Sequence, residues 1–352
     1  MTDGAVRWAA LRELSLARLR LFWREPGTLF WTFVFPILMS VVLGAAFRSR
    51  PPQPAEVVVA EGPGAPALVE ALRASSEVRP RLLPAPEAER ALFSGRVSVM
   101  VTASHDDGSA AHLRYDPSRP ESRLGRALVV DALERARGRR DLVATTEERV
   151  TEAGARYIDF LIPGLIGMGL MSSGLWGIGF SLAEMRSKKL LKRLVATPMR
   201  RSDFLASFLV VRAALVAVEL PPLLLFASFV WGVPVRGSLA LVALVALTGA
   251  LTFAMLGLLV ASRAENPQVV SGLINVISFP MLLCSGVFFS SENFPSWSQP
   301  IIGALPLTAL IDALRGVMLD GRGITWLAKP MGVVGLWGLS AFVLALRLFR
   351  WR

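Results

Sequence analysis

Sulfur and imidazole chemistry have little to work with in this chain. Its 352 residues include one cysteine, Cys284, and two histidines, His105 and His112. A single cysteine excludes a disulfide within the chain, and its place inside an apolar run leaves the redox compartment unread. Two histidines are too few for a His-rich metal site, their spacing supports no ligand role, and they read as surface residues. No G-x-x-x-x-G-K-[ST] phosphate loop is present, so the chain alone is not expected to hydrolyse ATP. H-E-x-x-H and G-x-S-x-G are also missing, which leaves an enzyme reading without residues. Charge is scarce as well, at 18% of residues, and there is no solenoid repeat or low-complexity tract.

Apolar residues are what the chain has: 53% of it, with a mean hydropathy of +0.51. A soluble domain seldom reaches that balance, and an integral membrane protein is expected. The net charge of +11 raises the question of nucleic acid, but its distribution argues against it. Between Arg48 and Tyr157 there are 17 Arg and no Lys against 16 Asp plus Glu, which is close to neutral. The surplus sits in short segments flanking apolar runs, where a topology signal lies.

Six runs, at 28–47, 160–183, 213–232, 239–261, 268–290 and 327–347, are long enough to cross ~30 Å of hydrocarbon at about 20 helical residues each. The first is too long for the apolar part of a signal peptide and reads as a retained anchor. With the N-terminus placed in the cytoplasm, the inner side holds 17 cations, including Arg7, Arg12, Arg24, Arg263 and seven from Arg186 to Arg201. The short outer loops hold four: Arg236, Arg315, Arg322 and Lys329. Both termini are therefore expected inside, and residues 48–157 outside. The expected architecture is a mostly α polytopic membrane protein, with six transmembrane helices and an inserted extracytoplasmic α/β domain.

In that outer segment, "EVVVA" (56–60), "VSVMVTA" (97–103) and "AHLRYDP" (111–117) read as strands. "APALVEALRAS" and "ESRLGRALVVDALERARGRR" read as helices, with Leu124, Leu128 and Leu133 near one face. The entry "RSRPPQPAE" reads as a stiff linker. Residues 1–27 contain an expected interfacial helix with Trp8, Leu11, Leu14 and Phe22 on one side, where Arg18 intrudes.

Within the spans, the acid Glu219 lies about two turns past Arg212. Arg212 is expected to snorkel to the inner surface, which Glu219 cannot easily do. Glu219 is a pathway candidate or, equally, a hydrogen-bonded acid beside a kink at Pro221–Pro222. Ser271, Asn275 and Ser278 share one face of span five and either line a pathway or bond to a neighbouring helix. Gly169, Ser173 and Gly177 form a small-x-x-x-small ridge read as packing. Residues 291–326 are too polar to cross the bilayer; Asp312 and Arg315 in them are spaced to pair.

The most concentrated basic stretch is "KKLLKRLVATPMRRSDF" (188–204), with six cations and one acid, Asp203. Leu190, Leu191 and Leu194 give a short helix an apolar ridge, Lys189, Lys192 and Arg193 ring it, and Pro198 disfavours helix at Thr197. Read alone, this suits a positive-inside anchor on anionic lipid, at ~1 kcal/mol per cation. Yet "EMRSKKLLKRLVATPMRRSD" (184–203) resembles the inside loop of type-2 ATP-binding-cassette exporter permeases. So do "WREPGTLFWTFVFPILM" near the start, "DFLIPGLIGMGLM" (159–171), and "SGVFFSSENFPSWSQPIIGALPLTALIDALRGVMLDG" (285–321) for their own segments of that family. The resemblance covers nearly all of the chain outside 50–155. One departure is that Lys189, Leu190, Leu191 and Lys192 stand where many members have Gly-Thr-Leu-Glu.

The resemblance implies a permease of the bacterial inner membrane, paired with a second copy or a sister permease and with two ATPase subunits. ATP and magnesium would be held by those partners and no cofactor by this chain; drugs, lipids, polysaccharides and ions are all handled within such a family. It implies a coupling loop, 184–203, whose contact residues map to Glu184, Leu190, Leu191, Lys192, Arg193, Leu194, Thr197 and Pro198. It also implies a re-entrant pair of helices within 291–326 capping the outer end, which places Pro306, Asp312 and Arg315 among the gate candidates. The alternatives are a signalling or scaffolding membrane protein that moves nothing, and a secondary carrier. The nearest ATPase-linked signalling type has three spans after its outer domain, where five are counted here, and no repeated halves point to a carrier.

Cysteines introduced at Arg96 and Gly321 are expected to react with an impermeant reagent from outside intact cells, and one at Ser187 is not. Labelling at Ser187 overturns the orientation.

Overall fold

The computed structural model describes residues 3–47, 54–104, 110–139, 156–195, 201–264 and 266–348. They divide into two compact units: Met1–Arg48 with Val150–Arg352, and Ser49–Arg149.

The larger unit begins with α1 (Asp3–Arg24), followed by α2 (Pro26–Leu29), a π-helical turn (Phe30–Val34) and α3 (Phe35–Ala46). Pro26 opens the second stretch, where its missing N–H would be unpaired in any helix. The apolar helix Phe30–Ala46 is shorter than the 28–47 span expected, and it is not among the five helices long enough to cross a membrane by themselves.

The smaller unit carries β1 (Ala55–Ala60), α4 (Ala65–Arg73), β2 (Val78–Leu83), α5 (Ala85–Phe93), β3 (Val99–Ala103), β4 (Ala111–Tyr115) and α6 (Pro120–Ala136). The strands form one sheet in the order β2-β1-β3-β4, with β1 parallel to β2 and β3, and β4 antiparallel to β3. Alternation sorts the side chains. Val57, Val59, Val99 and Val101 pack with Leu68, Leu72, Val129 and Leu133 of α4 and α6. Val58, Ala60 and Met100 pack with Ala88 and Ala91 of α5. The sequence reading missed β2, whose Pro80 argues against a strand; the strand lies at a sheet end, where proline is tolerated. On α6 the reading placed Leu124, Leu128 and Leu133 near one face, and of these Leu133 is buried and Leu128 packs against the same core. Ser122, Gly125, Val129, Ala132 and Leu133 are buried, whereas Leu124 is exposed, because Gly125 is what lets α6 close onto Ser98 and Val99.

The larger unit resumes with α7 (Tyr157–Gly174), a second π-helical stretch (Leu175–Phe180) and α8 (Ser181–Ser187), which together make one 31-residue span. After α9 (Leu190–Val195) come α10 (Arg201–Trp231), α11 (Leu239–Ala261) and α12 (Pro267–Cys284). Next are α13 (Gln299–Gly303), α14 (Pro306–Met318) and α15 (Ile324–Leu348). The fifth expected span, 268–290, ends early as α12, because Gly286 takes a left-handed φ of +78° just beyond it. Residues 296–303 and 306–318 form two helical pieces bent by 84° at the break between them. Of the most apolar stretch of the α7–α8 span, 78% is buried, against 50% for α11 and 22% for each of α10, α12 and α15. The α7–α8 span is therefore the centre of the bundle. Exposed Phe229, Val276, Phe279 and Leu336 on the less buried helices suit contact with lipid.

Glycines set that centre, though not those read from the sequence. Gly169 and Gly177 face open space, so the expected Gly169–Ser173–Gly177 ridge is not the packing face. The packing face carries Gly164, Gly167 and Gly174. A Cβ on these would come within 2.6 Å of the Val287 carbonyl oxygen, 2.7 Å of Ile311 and 2.7 Å of Phe253. On α11, Gly257 lies against the Gly174 carbonyl, where a Cβ would stand 2.7 Å away. Both helices meet backbone to backbone there, as small residues permit in lipid.

Gly257→Ala is therefore expected to lower thermal stability in detergent by about 1–3 kcal/mol through overpacking. Gly169→Ala is expected to be neutral or slightly stabilising, since alanine favours helix over glycine by about 1 kcal/mol. Equal losses in the two variants contradict this assignment of faces.

Candidate coupling and gate sites

At the end of α8 the chain reverses through Lys188 and Lys189. The Lys188 and Lys189 amides donate to the carbonyls of Glu184 (3.0 Å) and Arg186 (2.9 Å). Lys189 takes φ +57°, a left-handed conformation that costs a side-chain-bearing residue more than glycine. Glu184 pairs with Lys188 at 2.7 Å, but both are well exposed and the pair contributes little to stability. The reversal lays α9 back against the bundle. Leu191 is 2% exposed and packs with Ile178, Leu182, Phe204 and Leu205. The expected Leu190–Leu191–Leu194 ridge is thus divided, with Leu191 fastening α9 to its own chain and no longer available to a partner. Leu190 is half-buried and Arg193 exposed. Lys192 and Leu194 lie in α9 with side chains outside the description, and Thr197 and Pro198 lie outside the described residues.

Arg186, counted from the sequence only as an inner-side cation, is buried. Its Nη1 donates to the carbonyls of Ala261 (2.7 Å) and Ala264, and its Nη2 to that of Ser262 (3.1 Å). Nearby, the apparent flaw in α1 has a use. The Arg18 guanidinium lies 3.3 Å from the centre of the Phe208 ring and 5.1 Å from that of Phe204, both on α10. Its burial pushes the guanidinium down to about 10, still charged at neutral pH.

Midway along α10, Arg212 does not snorkel. It is 2% exposed, and its Nη1 donates to both carboxylate oxygens of Glu219 at 2.8 and 2.9 Å. Seven residues are about two helical turns, so the two share a face, and a Glu side chain leans toward its helix's N-terminus and so toward Arg212. The Ser173 hydroxyl of α7 also reaches Glu219 at 3.5 Å. Arg212 Nε and Nη2 are buried with no hydrogen-bond partner among the described residues, so the pair is only partly satisfied there.

At the other end, Asp312 and Arg315 do not pair. Asp312 is exposed, whereas Arg315 turns to the carbonyls of Phe160 (3.1 Å from Nη2) and Gly286 and stacks 3.6 Å from the centre of the Phe160 ring. The backbone oxygens just beyond α12 and in the first turn of α7 offer the guanidinium two acceptors, where Asp312 would offer one charge near solvent. Tyr157 Oη donates to Phe288 O at 2.9 Å. Asp159, fully buried, accepts from the Arg156 amide and from its Nε and Nη2 at 2.9–3.1 Å. Asp159 was quoted within a motif but not singled out, since an acid in a first helical turn looks like an ordinary cap. Pro306 is buried at the start of α14, and the Trp337 indole donates to Ala304 O (2.8 Å) at the bend. On α12, Ser271 bonds to Pro267 O and Gln268 O of its own helix, Asn275 is half-buried, and Ser278 is buried. Ser271 therefore bonds locally and not to a neighbouring helix.

Five helices among the described residues are long and apolar enough to cross a membrane and are laced by arginine–carbonyl ties, as in a polytopic membrane protein. Residues 26–347 match the profile described as ABC-2 family transporter protein, and the chain belongs to that family. It is 30% identical over 172 residues to ABC transporter G family member 20 of Dictyostelium discoideum (48% of this chain, 23% of that one). It is 26% identical over 200 residues to Nodulation protein J of Bradyrhizobium diazoefficiens (56% and 76%). With the probable multidrug ABC transporter permease YbhS of Escherichia coli it shares 22% over 164 residues (46% and 44%). The chain thus spans less than half the length of the first and third of these relatives and about three quarters of the second.

Removing one partner of a buried pair leaves the other charge uncompensated, at about 3–5 kcal/mol. Glu219→Gln is therefore expected to lower the detergent melting temperature markedly, and Arg212→Met with Glu219→Leu to recover most of the loss. A single variant as stable as the parent shows that the pair does not hold α10.

Proposed function

We propose that the chain is the membrane-spanning permease subunit of an ATP-driven exporter, with ATP hydrolysed on a separate ATPase subunit. The observation that carries this reading is the family match over 26–347 together with a short basic helix, α9, held at the end of the central span. In this reading α9, with Glu184 before it and Thr197 and Pro198 after it, is the ATPase contact. Arg193 and Glu184 present charge, Leu190 and Leu194 supply apolar contact, and Leu191 anchors the helix from behind. The α13–α14 pair is a re-entrant cap at the outer end, its 84° bend held by the Trp337 bond and its position by Arg315. The charge pattern supports placing the α/β unit outside a bacterial inner membrane and the segments before α2 and after α15 inside. A second permease, identical or related, completes the pathway. Relatives named for multidrug transport and for daunorubicin resistance, the latter 34% identical over 71 residues, favour a hydrophobic or amphipathic substrate.

Docking in a protein cleft depends on apolar anchors as well as charge, whereas lipid attraction depends on charge alone. Leu194→Ala, with every cation intact, is expected to weaken capture of the ATPase subunit about tenfold or more, as loss of an anchor of 1–3 kcal/mol implies. Lys188→Gln should do much less. Equal behaviour of the two variants, or full capture and ATP turnover in Leu194→Ala, defeats the coupling assignment.

A further inference from the structure

A push delivered at α9 has to reach the far end of a bundle crossed by five helices, and the contacts around Arg186 show a route. We propose that Arg186 is a positioning residue that makes α8 and α11 move as one body, so that displacement of α9 reaches α14. This rests on the reading of α9 as the ATPase contact.

Three acceptors of Arg186 lie at one place. Ala261 is the last residue of α11, and Ser262 and Ala264 follow it. Their carbonyls belong to the group that a helix end leaves without intrahelical partners, at the negative end of the helix dipole. A buried guanidinium satisfies several of them at once, which an ammonium on a flexible stem does less well. Arg186 stands in the last turn of α8, immediately before the Lys188–Lys189 reversal into α9. A displaced α9 therefore pulls on the residue that grips the end of α11.

Above that grip the two helices also meet at their backbones. Gly257 of α11 sits on the Gly174 carbonyl and near the Gly179 amide, and Gly174 sits on the Phe253 backbone. Contacts between backbones have no side-chain rotamers to absorb a shift. Farther along, Gly167 of α7 lies on Ile311 and Gly249 of α11 on Leu310, neighbouring residues of α14. The same two helices that Arg186 joins at one end are thus the two that clasp α14 at the other. Cutting the tie alters none of the contacting glycines and no residue of α9, which lets transmission be tested apart from docking.

The test uses the full chain co-expressed with its ATPase subunit and carrying Gly303→Cys in α13, an open position. Its readouts are capture of the ATPase, basal ATP turnover, and labelling of that cysteine by an impermeant maleimide with and without ATP. In the parent, ATP is expected to change the labelling rate about threefold or more. Arg186→Gln should abolish that change while keeping capture and basal turnover within about twofold of the parent. Arg186→Lys, which reaches fewer of the carbonyls, should restore part of it. If Arg186→Gln is not recovered folded, Arg186→Lys carries the test, with a reduced ATP response at full capture expected. An ATP response equal to the parent's in either case overturns the proposal, as does loss of capture in step with the response, or no response in the parent. Failure of the parent to capture the ATPase at all overturns the functional reading instead, and the proposal with it.

Discussion

The contact of the α7–α8 span with α11 at Gly174 and Gly257 is the constraint on which the rest of the larger unit depends. In hydrocarbon, helices gain little by hiding apolar side chains from each other, because lipid is as apolar as leucine. What favours their association is closeness, and closeness needs positions without a Cβ. With glycine there, two helices meet along their backbones and the α7–α8 span becomes the most buried of the five. The remaining helices can then pack around this pair with one face each and leave the other to lipid.

Arginine is the polar residue that the bundle uses to finish its helix ends. Arg186 grips the end of α11, Arg315 the turn after α12 together with the first turn of α7, and Arg156 the buried carboxylate of Asp159. In the first two the guanidinium serves more than one backbone oxygen, which suits a rigid, planar group with five donors. Such ties fix register as well as contributing energy, because each carbonyl has to be in place for the next to be reached. The Arg212–Glu219 pair differs, with both charges on one helix and two guanidinium nitrogens left without partners among the described residues. It neutralises a buried acid but joins α10 to α7 only through the long contact with Ser173.

Much of the framework was legible in the residues, and the reasons differ by element. The run 239–261 coincides with α11, because hydrophobicity and length alone define such a helix. The runs "EVVVA" and "VSVMVTA" fall on β1 and β3 for their β-branched residues and "AHLRYDP", with its tyrosine, on β4, while "VRPRLL" hid β2 behind a proline that only an end strand accepts. Glu184 stands before, and Leu190, Leu191 and Arg193 after, the reversal at Lys188 and Lys189. Ser271 and Asn275 are both half-buried, and for Ser271 the serine's ability to bond its own backbone decides the outcome.

Composition and order by themselves determined that the chain is built for a bilayer, roughly where most of its apolar helices lie, and which family it resembles. These follow from local properties such as hydropathy, helix-ending residues and a motif kept in sequence. Which glycines pack, which arginine is a tie and which is half of an ion pair, and which leucine of α9 faces inward were decided only by tertiary structure. The arginine ties to Ala261 and Phe160, for example, join residues 75 and 155 positions apart, whereas the ion pair spans seven. Identical residue types, such as Gly169 and Gly174 or Arg186 and Arg212, differ solely in what the fold brings opposite them.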